Sequence, residues 1–361
     1  MINKYRCRKE LGMTDKKNME LNKLLRKNIK TLKPYSSARD EYTGEAMVFL
    51  DANENPFNEP YNRYPDPLQK EVKRKIADLK NIDIEQIFLG NGSDEPIDLL
   101  IRAFCEPALD NIVTINPTYG MYQVAAEISG IELRKVPLTK EYALDTQTIL
   151  QAIDKHTKLI FLCSPNNPTG NSLEKESIIE LIQNFEGLVV LDEAYIDFAP
   201  YKTLLNEINN FPNLLILQTF SKAWGMAGIR LGMAFASLEI INVLNKIKYP
   251  YNINILTQQK ALELLTKKEE VENWVKRIIS ERKKMAELFE ELPFVVKVFP
   301  SDANFLLIKM YDAKGVYDYL VEQGIIVRDR SKVFLCENSL RITIGSSEEN
   351  QILLNTLKEL I

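Results

Sequence analysis

Lys222 closes an apolar run, Asn213-Leu-Leu-Ile-Leu-Gln-Thr-Phe-Ser-Lys222, of the length and composition expected of a buried strand. An ammonium ion at such a strand end is partly desolvated, which disfavours its charged form and lowers its pKa. That is the condition under which a lysine can form a Schiff base with an aldehyde. Thr219 and Ser221 beside it offer hydroxyls, and Arg230, eight positions on, offers a guanidinium; together they suit a phosphate. Most lysines in a chain are solvated surface residues, so Lys222 alone decides little and the remaining parts must be found elsewhere.

An aldehyde and a phosphate on one molecule describe pyridoxal 5′-phosphate (PLP). That cofactor needs a lysine, a carboxylate at its pyridine nitrogen, donors at its phenolic oxygen and an anion site. Asp192 can hold the ring nitrogen protonated, which makes the ring an electron sink. Asn167 and Tyr195 can donate to the phenolic oxygen, and Tyr119 can stack on the ring. Ser221, Arg230, Thr219 and the backbone of Gly92, Ser93 and Asp94 can hold the phosphate, because glycines ahead of a helix N-terminus leave N–H groups free for an anion. Each residue also has a plainer reading. Asp192 could cap a helix, Asn167 could serve a turn before proline, and Tyr119 could be core. Their joint placement is what argues for a site.

The elements that must position them are short apolar strands alternating with helices. Strands are expected at 87–89, 111–115, 132–136, 159–163, 188–191, 214–217 and 231–235, and helices between them. This pattern predicts a mostly parallel sheet sandwiched by helices in an α/β fold. In such sheets ligands sit beyond the carboxyl ends of the strands. The polar clusters 90–95, 116–122, 164–170, 192–195 and 219–222 all fall at such ends. From about Tyr249 the pattern changes: a long helix over 255–292, strands near 294–299 and 304–309, helix 313–323, strands 325–327 and 340–343, and a final helix. The division expected is a large domain over 48–250 and a smaller α/β domain over 251–361. Residues 19–47, with a helix over 19–32, are read as a segment packing with the small domain. Met47–Leu50 reads as a strand. Residues 1–18, with six basic and two acidic residues and no apolar periodicity, read as a disordered extension, and Met19 is a second candidate start.

Three of these clusters carry a resemblance. Ser164-Pro-Asn-Asn-Pro-Thr-Gly170, Asp192-Glu-Ala-Tyr195 and Ser221-Lys222 with Arg230 resemble the aspartate-aminotransferase-like, fold-type-I PLP enzymes. Further features are similar to the histidinol-phosphate aminotransferase branch of that family: Pro34-Tyr35, Asp51-Ala-Asn53-Glu-Asn-Pro, Arg63-Tyr64-Pro65, Asn116-Pro-Thr-Tyr-Gly-Met-Tyr122, Ile326-Val-Arg328-Asp and Leu340-Arg341-Ile-Thr-Ile-Gly345. The resemblance covers residue 20 to the C-terminus. It implies a homodimer with active sites at the interface, Tyr64 reaching the partner subunit's cofactor phosphate. It implies that Arg341 binds the α-carboxylate of glutamate and, with Arg328 and Tyr35, the phosphate of histidinol phosphate; Asn53, Tyr64 and Asn167 join the substrate residues. It implies transamination of histidinol phosphate with 2-oxoglutarate in histidine biosynthesis, Lys222 serving as general base. The nearest rivals are an aromatic-amino-acid aminotransferase and a phospho-amino-acid decarboxylase of the same fold. A nucleotide-binding oxidoreductase that reads Gly90-Asn-Gly-Ser as a dinucleotide loop is more distant, since Glu95 stands where the third glycine would be.

Composition bounds what else is open. The chain has 361 residues, 45% hydrophobic and 27% charged, with a net charge of −4, so bulk charge gives no nucleic-acid signal. No apolar run reaches the ~18 residues of a membrane span. Four cysteines without a Cys-x-x-Cys pair argue against a zinc framework or a disulfide scaffold and fit a reducing, cytoplasmic setting. A single histidine, His156, excludes a metal site built from several.

Overall fold

The apolar runs that end in polar clusters become the strands of one seven-stranded sheet. In the computed structural model, which describes residues 20–35 and 47–360, these are β1 (Ile87–Asn91), β2 (Asn111–Asn116), β3 (Glu132–Pro137), β4 (Thr157–Cys163), β5 (Leu188–Asp192), β6 (Leu214–Thr219) and β7 (Leu231–Phe235). They lie in the order β1-β7-β6-β5-β4-β2-β3. The pairs β2–β3, β2–β4, β4–β5 and β5–β6 are parallel, and β7 runs antiparallel to β6 and β1. One edge of the sheet therefore gathers the carboxyl ends of β1, β2, β4, β5 and β6 together with the amino end of β7. That reversal is what brings Arg230, the residue before β7, to the same edge as Lys222.

Alternate residues of the central strands feed two cores, as the period of two requires. Leu89, Ile160, Leu162, Val189, Leu191 and Ile216 pack with helices Lys70–Lys80 and Lys175–Asn184 on one face. Phe88, Leu159, Phe161, Val190, Leu215 and Leu217 pack with helices Asp94–Phe104, Met121–Ile128 and Leu238–Ile247 on the other. Covered on both faces, the strands read as continuous apolar runs.

The second sheet is antiparallel, in the order β10-β11-β9-β8: β8 (Val295–Val298), β9 (Phe305–Met310), β10 (Arg328–Asp329) and β11 (Ser339–Thr343). Helices Ala313–Glu322 and Ser347–Lys358 cover it over a core that includes Met285, Phe289, Leu306, Ile308, Leu340 and Leu354. The final helix opens with a complete Ser346/Glu349 capping box.

Several expectations are corrected. The helix expected over 255–292 is two, Ile255–Leu264 and Lys268–Glu290, broken where the Thr266 hydroxyl turns back to the Glu263 carbonyl at 2.7 Å. Ala261, Leu265 and Val271 join the cluster around the large sheet, which also takes in Phe305 and Leu307 of β9, while Met285 and Phe289 belong to the small-sheet core. Residues 325–327 are not a strand; only Arg328 and Asp329 pair with β11. Met47–Leu50 is exposed and outside both sheets. The single helix over 19–32 is two short ones, Leu21–Leu24 and Lys27–Thr31, because Leu25 and Arg26 are extended. Leu21, Leu24, Leu25 and Ile29 pack on the large domain, the Arg26 N–H donates to the Ala103 carbonyl at 3.0 Å, and Lys246 donates to the Ile29 carbonyl at 2.7 Å. The described part of the 19–47 segment therefore rests on the large domain, where its apolar face finds the helices Asp94–Phe104 and Leu238–Ile247. The extension expected over 1–18 lies outside the described residues. Among the described residues no helix is long and apolar enough to cross a membrane.

Candidate active site

Gly92, Ser93, Asp94, Tyr119, Asn167, Asp192, Tyr195, Thr219, Ser221, Lys222 and Arg230 line one cavity at the sheet edge. Five loops separated by up to 138 positions converge there because each follows, or in Arg230's case precedes, a strand of the same sheet. Lys222 sits with its Nζ 5.6 Å from the centroid of the Tyr195 ring. Burial first, and then the Arg341 guanidinium, hold its pKa below the ordinary lysine value, against the pull of Asp192 and Asp94.

Asp192 is 2% exposed. Its Oδ2 accepts from the Tyr122 hydroxyl at 2.7 Å and its Oδ1 from the Ala194 N–H at 3.1 Å. Burial pushes its carboxyl up to about 6, and these two donors oppose that shift. The helix-cap reading of Asp192 is thereby set aside: its partners are a phenol from another helix and the amide two residues on. A buried carboxylate with only two neutral donors and no ion-pair partner among the described residues is a place for a cationic N–H. Tyr122 is a residue the sequence reading missed. It is fully buried, stacks on Phe161 and meets Tyr119 edge-on. The Tyr119-Gly-Met-Tyr122 spacing marks it, but nothing in the sequence says that it reaches a carboxylate 70 positions away.

The anion cradle rests on close backbone approach. The Gly92 N–H donates to the Arg230 carbonyl at 2.7 Å, so it is not one of the free amides expected at this turn. A Cβ on Gly232 would lie 2.2 Å from the Gly92 carbonyl carbon and 2.3 Å from the Ser93 nitrogen, so only glycine lets β7 pass this turn. Gly92 has φ +69°, and a side chain there would meet the Arg230 guanidinium at 2.6 Å. Ser93 stands at the N-cap of Asp94–Phe104 and makes no side-chain cap bond, which leaves its hydroxyl for a ligand. Thr219 and Ser221 hydroxyls are 3.0 Å apart. Arg230 adopts the left-handed conformation, φ 56°, and its Nη2 lies 3.6 Å from Asp94 Oδ2. Asp94 also accepts from the Tyr119 hydroxyl at 3.0 Å. The Glu95 carboxylate accepts from the Asn91 N–H at 2.6 Å and from Asn252; it closes the loop where a dinucleotide fingerprint would need glycine.

The neighbouring loop is held by Asn166, which is fully buried. It donates to the Pro117 carbonyl and accepts from Thr118, tying 116–122 to 164–170. Asn167 is then free to face the cavity, 3.5 Å from the Tyr195 hydroxyl, and accepts a short hydrogen bond from Arg341 Nη1. Arg341 also lies over the Phe305 ring at 5.2 Å. A second cavity, which shares Tyr119, Asn167, Tyr195 and Lys222 with the first, is lined by Arg328, Arg330 and Arg341. Arg330 is a further residue that the sequence reading missed. Tyr35, Asn53 and Tyr64 line neither cavity. Tyr35 and Tyr64 are 72% and 51% exposed, and Tyr64 stacks on Tyr251 at 4.4 Å. Among the described residues no cluster of His, Cys, Asp and Glu could hold a metal ion.

Comparison with known proteins fits this geometry. Residues 47–357 match the family model described as aminotransferase class I and II. The chain is 59% identical over 341 residues to the histidinol-phosphate aminotransferase of Parabacteroides distasonis, covering 94% of this chain and 99% of that one. Among solved structures it is similar to the histidinol-phosphate aminotransferase from Clostridium acetobutylicum, with TM-score 0.76 and 27% identity over 83% of this chain and 91% of that one. The enzyme of the same name from Sinorhizobium meliloti, solved in complex with pyridoxal-5′-phosphate, shares the fold at TM-score 0.76 and 23% identity, over 83% and 84% of the two chains. With a strand-end lysine, a buried carboxylate, two hydroxyls and the Arg230 guanidinium gathered in one cavity, and with the family model spanning residues 47–357, this protein belongs to the class I and II aminotransferases.

Proposed function

We propose that this aminotransferase binds PLP and moves the amino group of L-histidinol phosphate to 2-oxoglutarate, giving imidazole-acetol phosphate and glutamate, as a cytoplasmic homodimer of the histidine pathway. The observation that carries the reading is that Lys222 and a cluster of guanidiniums open onto one continuous space. A substrate with an amine at one end and a phosphate at the other matches that arrangement.

The residues present fit the cofactor. Lys222 would hold its aldehyde end, Asp192 its ring nitrogen, Asn167 and Tyr195 its phenolic oxygen, and Ser93, Thr219, Ser221 and Arg230 its phosphate. When bound, PLP supplies an electron sink that acidifies the carbon bearing the substrate's amine. The protein's own part is to position and to move protons. Lys222, whose amine is held toward its neutral form by burial and by Arg341, is the base for that carbon's proton. Arg341, fixed by Asn167 and Phe305, presents a planar fork to the α-carboxylate of glutamate. Arg328, beside it on β10, faces the substrate phosphate, and Tyr35 and Asn53 are proposed to complete the site in the assembled enzyme.

The dimer is supported by an exposed apolar stretch. Met47, Leu50 and Phe57 are 96%, 90% and 76% exposed, more than a lone chain usually leaves uncovered in one segment. Tyr64 belongs to the same stretch and would reach across to the partner. Buried, unpaired Cys105, Cys163 and Cys336 accord with a reducing compartment. The test is a substrate comparison on the purified protein with 2-oxoglutarate as acceptor. Glutamate should form fastest from L-histidinol phosphate. Faster turnover of phenylalanine, or release of carbon dioxide from threonine phosphate, would replace this reading with one of its rivals.

A further inference from the structure

We propose that Arg330 is a third guanidinium of the substrate-phosphate site, and that it makes this enzyme select a phosphate dianion over a carboxylate. The proposal rests on the substrate reading above and deepens it.

The placement follows from strand register. Arg328 pairs directly with Arg341 across β10 and β11. The Arg330 N–H donates to the Ser339 carbonyl at 2.9 Å, so the pairing continues past the short strand. With a period of two, Arg328 and Arg330 share a face, and Arg341 stands opposite on the neighbouring strand. All three line the cavity that also holds Lys222.

The cluster is incomplete as it stands. Arg330 Nε is buried and has no hydrogen-bond partner among the described residues. A buried donor without an acceptor is unfavourable, and more so when it is charged. The groups that act on Arg330 are Arg341 and Arg328, then the Cys336 thiol and Tyr195; none is a carboxylate. Those acting on Arg341 are Tyr195, Arg328 and Tyr119. Burial and the two like charges push Arg330 down to about 10. Three guanidiniums share this space with Lys222 and Lys332, and among the described residues no carboxylate lines it, which calls for a ligand of high negative charge.

Charge then decides between the two substrates. A phosphate monoester carries about −1.5 to −2 at pH 7, whereas a carboxylate carries one negative charge. Arg341 is already oriented by Asn167, so it can serve an anion in either half-reaction. Arg330 adds a donor that only the more highly charged end group makes full use of.

The test compares wild-type holoenzyme with Arg330→Gln and Arg330→Lys. The quantity read is the ratio of kcat/KM for L-histidinol phosphate to kcat/KM for L-glutamate. Loss of a charge-assisted donor should lower this ratio about tenfold or more in Arg330→Gln, chiefly through KM, and Arg330→Lys should recover part of it. Inorganic phosphate should inhibit the glutamine variant correspondingly less. Thermal unfolding separates selectivity from scaffolding: removing one of several crowded cations should leave the protein at least as stable. A ratio within twofold of wild type, an equal fall for both substrates, or a clear loss of stability would overturn the assignment. Wild-type enzyme inert toward histidinol phosphate would sink the substrate reading and this assignment with it. An active wild type whose selectivity ignores Arg330 would sink the assignment alone.

Discussion

The two proposed anion sites flank Lys222, one at the edge of the large sheet and one on the small sheet. The strand-end cradle is made of backbone amides at a helix start, the hydroxyls of Ser93, Thr219 and Ser221, and one arginine that already has Asp94 beside it. It is set by glycine contacts at van der Waals limits and sits on buried strands. The other site is three guanidiniums on and beside a two-residue edge strand, with no carboxylate among the groups acting on Arg330 and Arg341. The first supplies many neutral donors in fixed positions, which suits a group that stays bound. The second supplies uncompensated charge on a lightly paired edge, which suits an anion that must arrive and leave in every cycle. The contrast is between a site built to hold an anion by geometry and one built to hold it by charge.

This contrast can be broken in several ways. Arg341→Lys keeps the charge and removes the planar fork that Asn167 orients. It should lower kcat/KM about a hundredfold for both histidinol phosphate and glutamate, as expected for a truncated, partly buried charge contact. Steady-state kinetics in each direction would check this; a fall confined to histidinol phosphate would remove Arg341 from the carboxylate role.

Asp192 gives a prediction for the cofactor-free protein. Its folded carboxyl titrates at about 6 against an ordinary 3.8. A raised acid contributes stability that is fully present below pH 4 and lost as pH climbs through about 6. With 1.36 kcal/mol per unit, wild type should lose about 3 kcal/mol relative to Asp192→Asn between pH 4 and pH 8. Denaturant melts across that window would show it. Bound cofactor should abolish the difference, because a cationic N–H compensates the buried charge.

Gly232→Ala strikes the cradle alone. Overpacking of about 1–3 kcal/mol corresponds to roughly a tenfold to hundredfold weaker hold on the cofactor. Excess cofactor should restore turnover with KM for histidinol phosphate unchanged. A raised KM would mean that the two anion sites are not separable. The smallest effect belongs to Tyr122→Phe, which deletes a donor to Asp192 Oδ2. One lost hydrogen bond of about 1 kcal/mol should cost kcat a few-fold and leave KM for both substrates alone.

Much of this was legible in the chain because the period and the polar interruptions are local signals. The strand-end clusters at 90–95, 164–170, 192–195 and 219–222 do converge, as a mostly parallel sheet demands. The residues that were missed act across the fold. Tyr122 reads only as the last residue of the 116–122 cluster until the sheet brings Asp192 under it. Arg330 looks like one more loop cation until β10 and β11 set its register against Arg341. The break at Leu265–Lys267 was hidden because apolar spacing continues across it and the helices end on tertiary contacts. The N-terminal helices were misplaced because an amphipathic face shows that it will be buried but not against which partner.

The most direct measurement is the visible absorption of the purified protein through one cycle of substrates. The account predicts a band from PLP bound at Lys222, bleached by L-histidinol phosphate and restored by 2-oxoglutarate, with neither change in Lys222→Ala and its turnover down by about 10³- to 10⁴-fold. A colourless protein, a band indifferent to histidinol phosphate, or full turnover in Lys222→Ala would contradict it.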